Sequence, residues 1–166
     1  MSASETEKEV VERARQDKRE GKAPTTQAGE FIREEMHHIR EGKHGARSTK
    51  QAIAIGLSKA RRAGVKLGSP PRSAKPATRK SAAYASRAAR RGRRPSPKRG
   101  RAVERALQRE GRAAASHEAL ARQAHGAARR RGPAARKAAA RKAVATKGPA
   151  KRSAAARKAA ATRKAA

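Results

Sequence analysis

GKHGARSTKQAIAIGLSKARRAGVKL, residues 42–67, places two Ile and two Leu in one short stretch of a chain that has few large apolar residues elsewhere. Ser48 and Gln51 form a capping box, S-x-x-Q, that starts a helix. On that helix Thr49, Ile53, Gly56, Leu57, Ala60 and Gly64 share one face, and the glycines there would let another backbone come close. Gly64 is a helix stop, with Val65 and Leu67 placed to fold back over the end.

Upstream, a helix from a cap at Thr25 or Thr26 to about Glu41 puts Ala28, Phe31, Ile32, Met36 and Ile39 on one side. Glu35 lies among them, while Glu30, Glu34 and Glu41 face the other way. Gly42 and Gly45 bracket the turn between the two helices. Residues 25–67 therefore read as a helical hairpin, smaller than a lone core comfortably stabilises. Ile55 points away from the Leu57 face. It is either an exposed apolar residue or the contact for a partner: the N-terminal arm, a second copy or a base methyl.

Outside the hairpin the pattern weakens. Residues 1–24 form a charged helical arm whose apolar stripe is Val10, Val11 and Ala14, expected to fray. Residues 68–100 read as a basic linker rich in Pro, Ser and Arg. Residues 101–131 hold a second short helical segment around Val103, Leu107 and Leu120, with Ser116 as a cap, expected to order on binding. Residues 132–166 are a low-complexity Ala/Lys/Arg tail.

Composition gives the same expectation. Val, Ile, Leu and Phe number 14 of 166 residues, a share associated with disorder when net charge is high. The expected fold is mostly α, with no β-sheet and no large core: a short helical hairpin followed by a largely disordered basic arm.

Net charge is +32 and unevenly spread. Residues 1–41 hold ten acidic and eight basic residues, whereas residues 42–166 hold three acidic and 37 basic. Such a chain repels itself unless a polyanion neutralises it, which points to nucleic acid. Double-stranded DNA is favoured as the partner and RNA is the alternative. A third possibility is a protein-interaction module, or self-association through the hairpin, with the tail serving as tether. The acidic first 41 residues could also compete with DNA for the tail. No apolar run is long enough for a membrane span, and the first ten residues are too polar for a signal peptide, so no membrane partner is expected.

The candidate nucleic-acid contacts are Lys43, Arg47, Lys50, Lys59, Arg61, Arg62 and Lys66 on the hairpin. The linker and second segment add Arg90, Arg91, Arg93, Arg94, Lys98, Arg99, Arg101, Arg129, Arg130 and Arg131. The tail adds the pairs Arg136–Lys137, Arg141–Lys142, Lys151–Arg152, Arg157–Lys158 and Arg163–Lys164. These pairs recur every five or six residues or at a longer gap, so charge spirals around a helix instead of lining one face. That excludes a membrane-surface amphipathic helix.

Enzyme chemistry is not expected. There is no Cys, one Phe, one Tyr and no Trp, so neither a thiol site nor an aromatic-lined ligand pocket can be built. The same aromatic poverty argues against base stacking on single strands. His37, His38, His44, His117 and His125 read as surface or phosphate-contacting groups, with no cofactor and no metal expected.

Several strings resemble known families. SPKR (96–99) and SPPR (69–72) resemble the Ser-Pro-basic repeats of histone tails, and RGRRP (91–95) resembles the AT-hook core with an extra Arg94. Both would imply minor-groove contacts. The tail resembles those of linker histones and histone-like bacterial proteins, which implies DNA condensation through phosphate neutralisation. The 25–67 stretch, with its string GKHGARSTKQAIAIGLSKARRAG, resembles a family of small basic bacterial proteins built on one uncharacterised domain. The segment RAAASHEALARQAHGAARRRG (112–132) looks like a recurring part of the same family. That resemblance implies a cytoplasmic, bacterial setting, and the histone-like reading places the protein at the nucleoid.

Overall fold

The computed structural model describes residues 3–92 and 96–164. Among them are seven α-helices, one 3-10 turn and no strand: α1 (Ala3–Arg19), α2 (Pro24–Arg40), α3 (Thr49–Arg62), α4 (Pro76–Arg90), α5 (Pro97–Gln108), the turn Ala113–Ala115, α6 (His117–Arg130) and α7 (Gly132–Lys164). The chain divides into two compact units, residues 1–120 and 121–166.

The first unit is built around α2 and α3. Pro24 occupies the first turn of α2, where its fixed φ suits a helix start and its missing N–H is not needed, so it begins this helix as well as barring continuation of α1. Residues Ala28, Phe31, Glu35, Met36 and Ile39 are then buried at helical spacing. The turn that follows closes on Gly42, at φ +79°, a conformation that favours glycine. Ser48 caps α3 by accepting a hydrogen bond from the Gln51 N–H at 3.3 Å. Gln51 Oε1 in return accepts from the Arg47 N–H at 2.9 Å, one residue earlier than the standard box.

The two helices touch at Gly56, where a Cβ atom would lie 2.8 Å from Ile32 Cα. This is the close approach that the glycine pattern predicted. At the far end Val65 donates to the Ala60 carbonyl at 3.0 Å, and Val65 and Leu67 pack against the core as expected.

Two apolar clusters result. One joins Val10, Ala14, Ala28, Phe31 and Ala60, with Val11, Leu57, Val65 and Leu67 at its edge. The other joins Met36, Ile39, Ala46, Ala52, Ala114 and Ala115, flanked by Ile32, Ile53 and Leu120. Both are rich in alanine, which contributes little apolar area but lets helices approach closely. The larger contributions, about 1.5–3 kcal/mol for each fully buried Phe, Ile or Met, come from residues such as Phe31, Met36 and Ile39.

The structure corrects the expected fold class. The chain is helical along most of its length and is not a short hairpin followed by a disordered arm. Four segments carry the correction. The arm does not fray: α1 packs on α2, Val10 is 1% exposed, and Arg13 Nε donates to Glu30 Oε2 at 3.0 Å. The linker contains α4, which lays Ala85 and Ala88 inward and packs against α3. The second segment docks on the hairpin through residues 107–115. The tail, which forms the second unit with the end of α6, is the helix α7.

The physical reason for the first unit is that composition was averaged over 166 residues. Ten of the 14 Val, Ile, Leu and Phe residues lie between positions 10 and 67, so this stretch has a denser core than the whole-chain figure implies. For the tail, alanine's helix propensity outweighs like-charge repulsion: 14 of the 33 residues of α7 are Ala. Gly148, at φ +68°, breaks α7 into two helical pieces ahead of Pro149.

The docking of residues 107–115 uses backbone more than side chains. The Gly45 N–H donates to the Leu107 carbonyl at 2.9 Å and the Ala46 N–H to the Gly111 carbonyl at 3.1 Å. Thr49 Oγ1 donates to the Ala114 carbonyl at 2.7 Å, and Arg40 Nε to the Ala115 carbonyl at 2.9 Å. The GKHGARST string is thus a docking clamp as well as a turn.

Candidate functional site

Glu35 is fully buried. It sits one turn from Phe31 and one from Ile39, so the helix that buries those residues must bury this carboxylate too. Three groups converge on it. Lys59 Nζ reaches across from α3 to 2.8 Å from Oε2, and His44 Nε2, in the turn after α2, lies 3.3 Å from Oε1. His38, one turn on from Glu35, meets His44 edge-on with ring centroids 5.9 Å apart.

These contacts are close but poorly aligned. Neither Glu35 oxygen has a hydrogen bond of acceptable geometry, and neither does His38 Nε2, although it lies 2.9 Å from Glu34 Oε1. Burial pushes His38 below the ordinary histidine range, with Lys59 and Lys43 adding to the effect against the pull of Glu34 and Glu35. Burial outweighs the Glu34 contact, so the neutral imidazole is the favoured form.

The cluster opens into a cleft of about 490 Å³ whose lining includes Val10, Ile55, Ser58, Arg62, Val103 and Leu107. Ile55, whose orientation away from Leu57 was unexplained by a hairpin, is half-buried here beside residues of α1 and α5. One signal for this site is legible in the sequence, a carboxylate on an otherwise apolar helix face. It did not show that the turn returns His44 to the same point. One nitrogen each of His38 and His44 and one Glu35 oxygen lie within 4.8 Å of one another. Such a set can hold a cation.

The basic residues fall into distinct environments. Lys43, Arg47, Lys50, Arg62 and Lys66 are exposed, Lys43 being 3.0 Å from Glu41. Two of the seven hairpin candidates are turned inward: Lys59 is held at Glu35, and Arg61 is buried and donates to the Gly68 carbonyl at 3.1 Å. Their place on the third helix, not their charge, decides this. Arg90, Arg91, Lys98, Arg99 and Arg101 are exposed. Arg93 and Arg94, and with them most of the RGRRP string, lie outside the described residues.

In the second unit Arg129, Arg130 and Arg131 are exposed, as are the pairs at 136–137, 141–142, 151–152, 157–158 and 163–164. Residues 121–166 contain 15 basic and no acidic residues. The helix has basic groups on all sides, as the spacing predicted, and no apolar stripe.

Residues 7–73 match a family of unknown function (DUF6496), in keeping with an uncharacterised domain in this part of the chain. No curated protein and no solved structure matches the chain. The matched stretch contains Glu35, His38, His44 and Lys59. Among the described residues no helix is long and apolar enough to cross a membrane.

Proposed function

We propose that the chain binds duplex DNA with little sequence preference, as a histone-like nucleoid protein acting through phosphate neutralisation. The observation that carries this reading is the second unit's charge: 15 basic residues, no acidic ones, and a helix exposed all round. A helix with no apolar face has nothing to bury against a protein or a bilayer, whereas cations on every side suit the phosphates that surround it in a groove or between duplexes. Exposed Lys50, Arg62 and Lys66 give the first unit further contacts of the same kind. The role is one of binding, with no catalysis assigned.

Phosphate neutralisation has a thermodynamic signature. Each contact releases condensed counterions, so ten contacts give a slope of log K against log salt near −9, from about −0.9 per phosphate. The test is duplex-DNA affinity across a salt series, with ribosomal RNA as competitor. A steep slope with DNA preferred supports the reading. A slope shallower than about −3 overturns it, and ribosomal RNA winning the competition transfers the role to RNA.

A further inference from the structure

We propose that Glu35, His38 and His44 form a binding site for a divalent transition-metal ion, Zn²⁺ being the representative, independently of any nucleic-acid role. The geometry requires only a modest contraction. Ligand atoms now within 4.8 Å of one another must close to about 3.4 Å, the edge of a tetrahedron with bonds of about 2.0–2.2 Å. His44 sits in the turn between Gly42 and Gly45, where the ring can shift without disturbing a helix.

Two features distinguish this cluster from a buried ion pair. First, the Glu35 carboxylate is fully buried with both oxygens lacking an aligned hydrogen bond, an expensive arrangement that a coordinated cation relieves. Secondly, His44 Nδ1 lies 3.1 Å from the Gly45 carbonyl oxygen. That oxygen can only accept, so Nδ1 carries the hydrogen. Nε2 is then the ring nitrogen turned toward Glu35 Oε1, 3.3 Å away. An imidazole that donates its other N–H to a backbone carbonyl is also the usual orientation of a metal ligand.

Lys59 now supplies the positive charge. Its side chain is 34% exposed, so the ammonium can withdraw into the cleft as the ion enters. Lysine and metal are alternative counter-ions for one carboxylate. Two imidazoles and a carboxylate form a borderline ligand set suited to zinc or ferrous iron, and the cleft leaves further coordination positions open to solvent.

The test titrates the full chain with Zn²⁺ in competition with a chromophoric chelator, alongside His38→Ala, His44→Ala and the control His125→Ala. One tight equivalent is expected, weakened about tenfold or more by either cluster variant and unchanged in the control. Far-UV circular dichroism checks that the variants retain their helices. Equal affinity in a folded His38→Ala/His44→Ala double variant overturns the site. Should the variants lose helicity, Co²⁺ in the unmodified chain decides. Four- or five-coordinate visible bands with paramagnetic broadening at Ile55 and Ser58 support the proposal. Broadening confined to the surroundings of His117 and His125 overturns it.

Discussion

Gly45 and Glu110 meet backbone to backbone: a methyl group on Gly45 would lie 1.9 Å from the Glu110 carbonyl oxygen. The same turn donates hydrogen bonds to the Leu107 and Gly111 carbonyls, and the atom met at Glu110 is backbone, so no rotation of a side chain can relieve the clash. Gly45→Ala is expected to cost about 2–4 kcal/mol and to undock residues 107–115. Amide exchange would register this as lost protection at Ala46, with α2 and α3 still protected. Unchanged protection there would contradict the clamp.

Glycines elsewhere separate by surroundings. Gly56 is pressed against the Ile32 backbone, so Gly56→Ala should force α2 and α3 apart and cost about 1–3 kcal/mol. Gly29 has nothing within 4 Å of its virtual Cβ and lies inside α2. Gly29→Ala should therefore stabilise by about 0.5–1 kcal/mol. Denaturant midpoints of the two variants should move in opposite directions.

Arg61 and Arg62 are neighbours with different duties. Arg61 is buried and bonded to Gly68, whereas Arg62 is exposed. Arg61→Ala should lower stability by about 1–3 kcal/mol. Arg62→Gln should leave the melting temperature unchanged and, on the proposed function, reduce the salt slope by about 0.9. Paired thermal melts and DNA titrations distinguish the two.

Acid should loosen α1. Glu12 is held below the ordinary carboxylate value of 4.5 mainly by its hydrogen bond to Arg19, and Glu20 by its hydrogen bond to Lys22. A carboxyl depressed in the folded state binds fewer protons there than when unfolded. Its contribution is present above that value and is lost as pH falls through and below it. Both groups are fully exposed, so the effect should be small and fade with added salt. Protection factors in α1, taken relative to the intrinsic exchange rate at each pH, should fall below about pH 4.5 at low salt and less so at high salt.

The tail is expected to be helical without a partner. Circular dichroism of the full chain free of nucleic acid should show α7 formed, with a signal that rises with salt as like charges four apart, such as Lys137 and Arg141, are screened. A coil-like tail that gains helix only on adding DNA would contradict it.

Much of the hairpin was legible because its signals are local. Ser48, Gly56, Gly64 and the 3.6-residue spacing of Phe31, Met36 and Ile39 act within one or two turns, and each lies where the pattern put it. The docked arm, α4 and the 107–115 clamp were not legible. The arm showed its stripe of Val10, Val11 and Ala14 but not the partner that covers it, and α4 and the clamp depend on small residues, Ala88 and Ala115 among them, whose burial leaves no hydrophobic contrast in the sequence. The inward turn of Lys59 and Arg61 was equally hidden, since a basic residue beside a buried carboxylate or carbonyl reads like any other charge.

From residue order alone came the helical character, the hairpin and the extreme separation of charge, because propensity, capping and formal charge belong to individual side chains and their near neighbours. Tertiary structure alone decided which of those charges face solvent and which meet Glu35. That outcome depends on distances between residues far apart in the chain, fixed only when the close approach at Gly56 and the clamp at Gly45 set the helices in place.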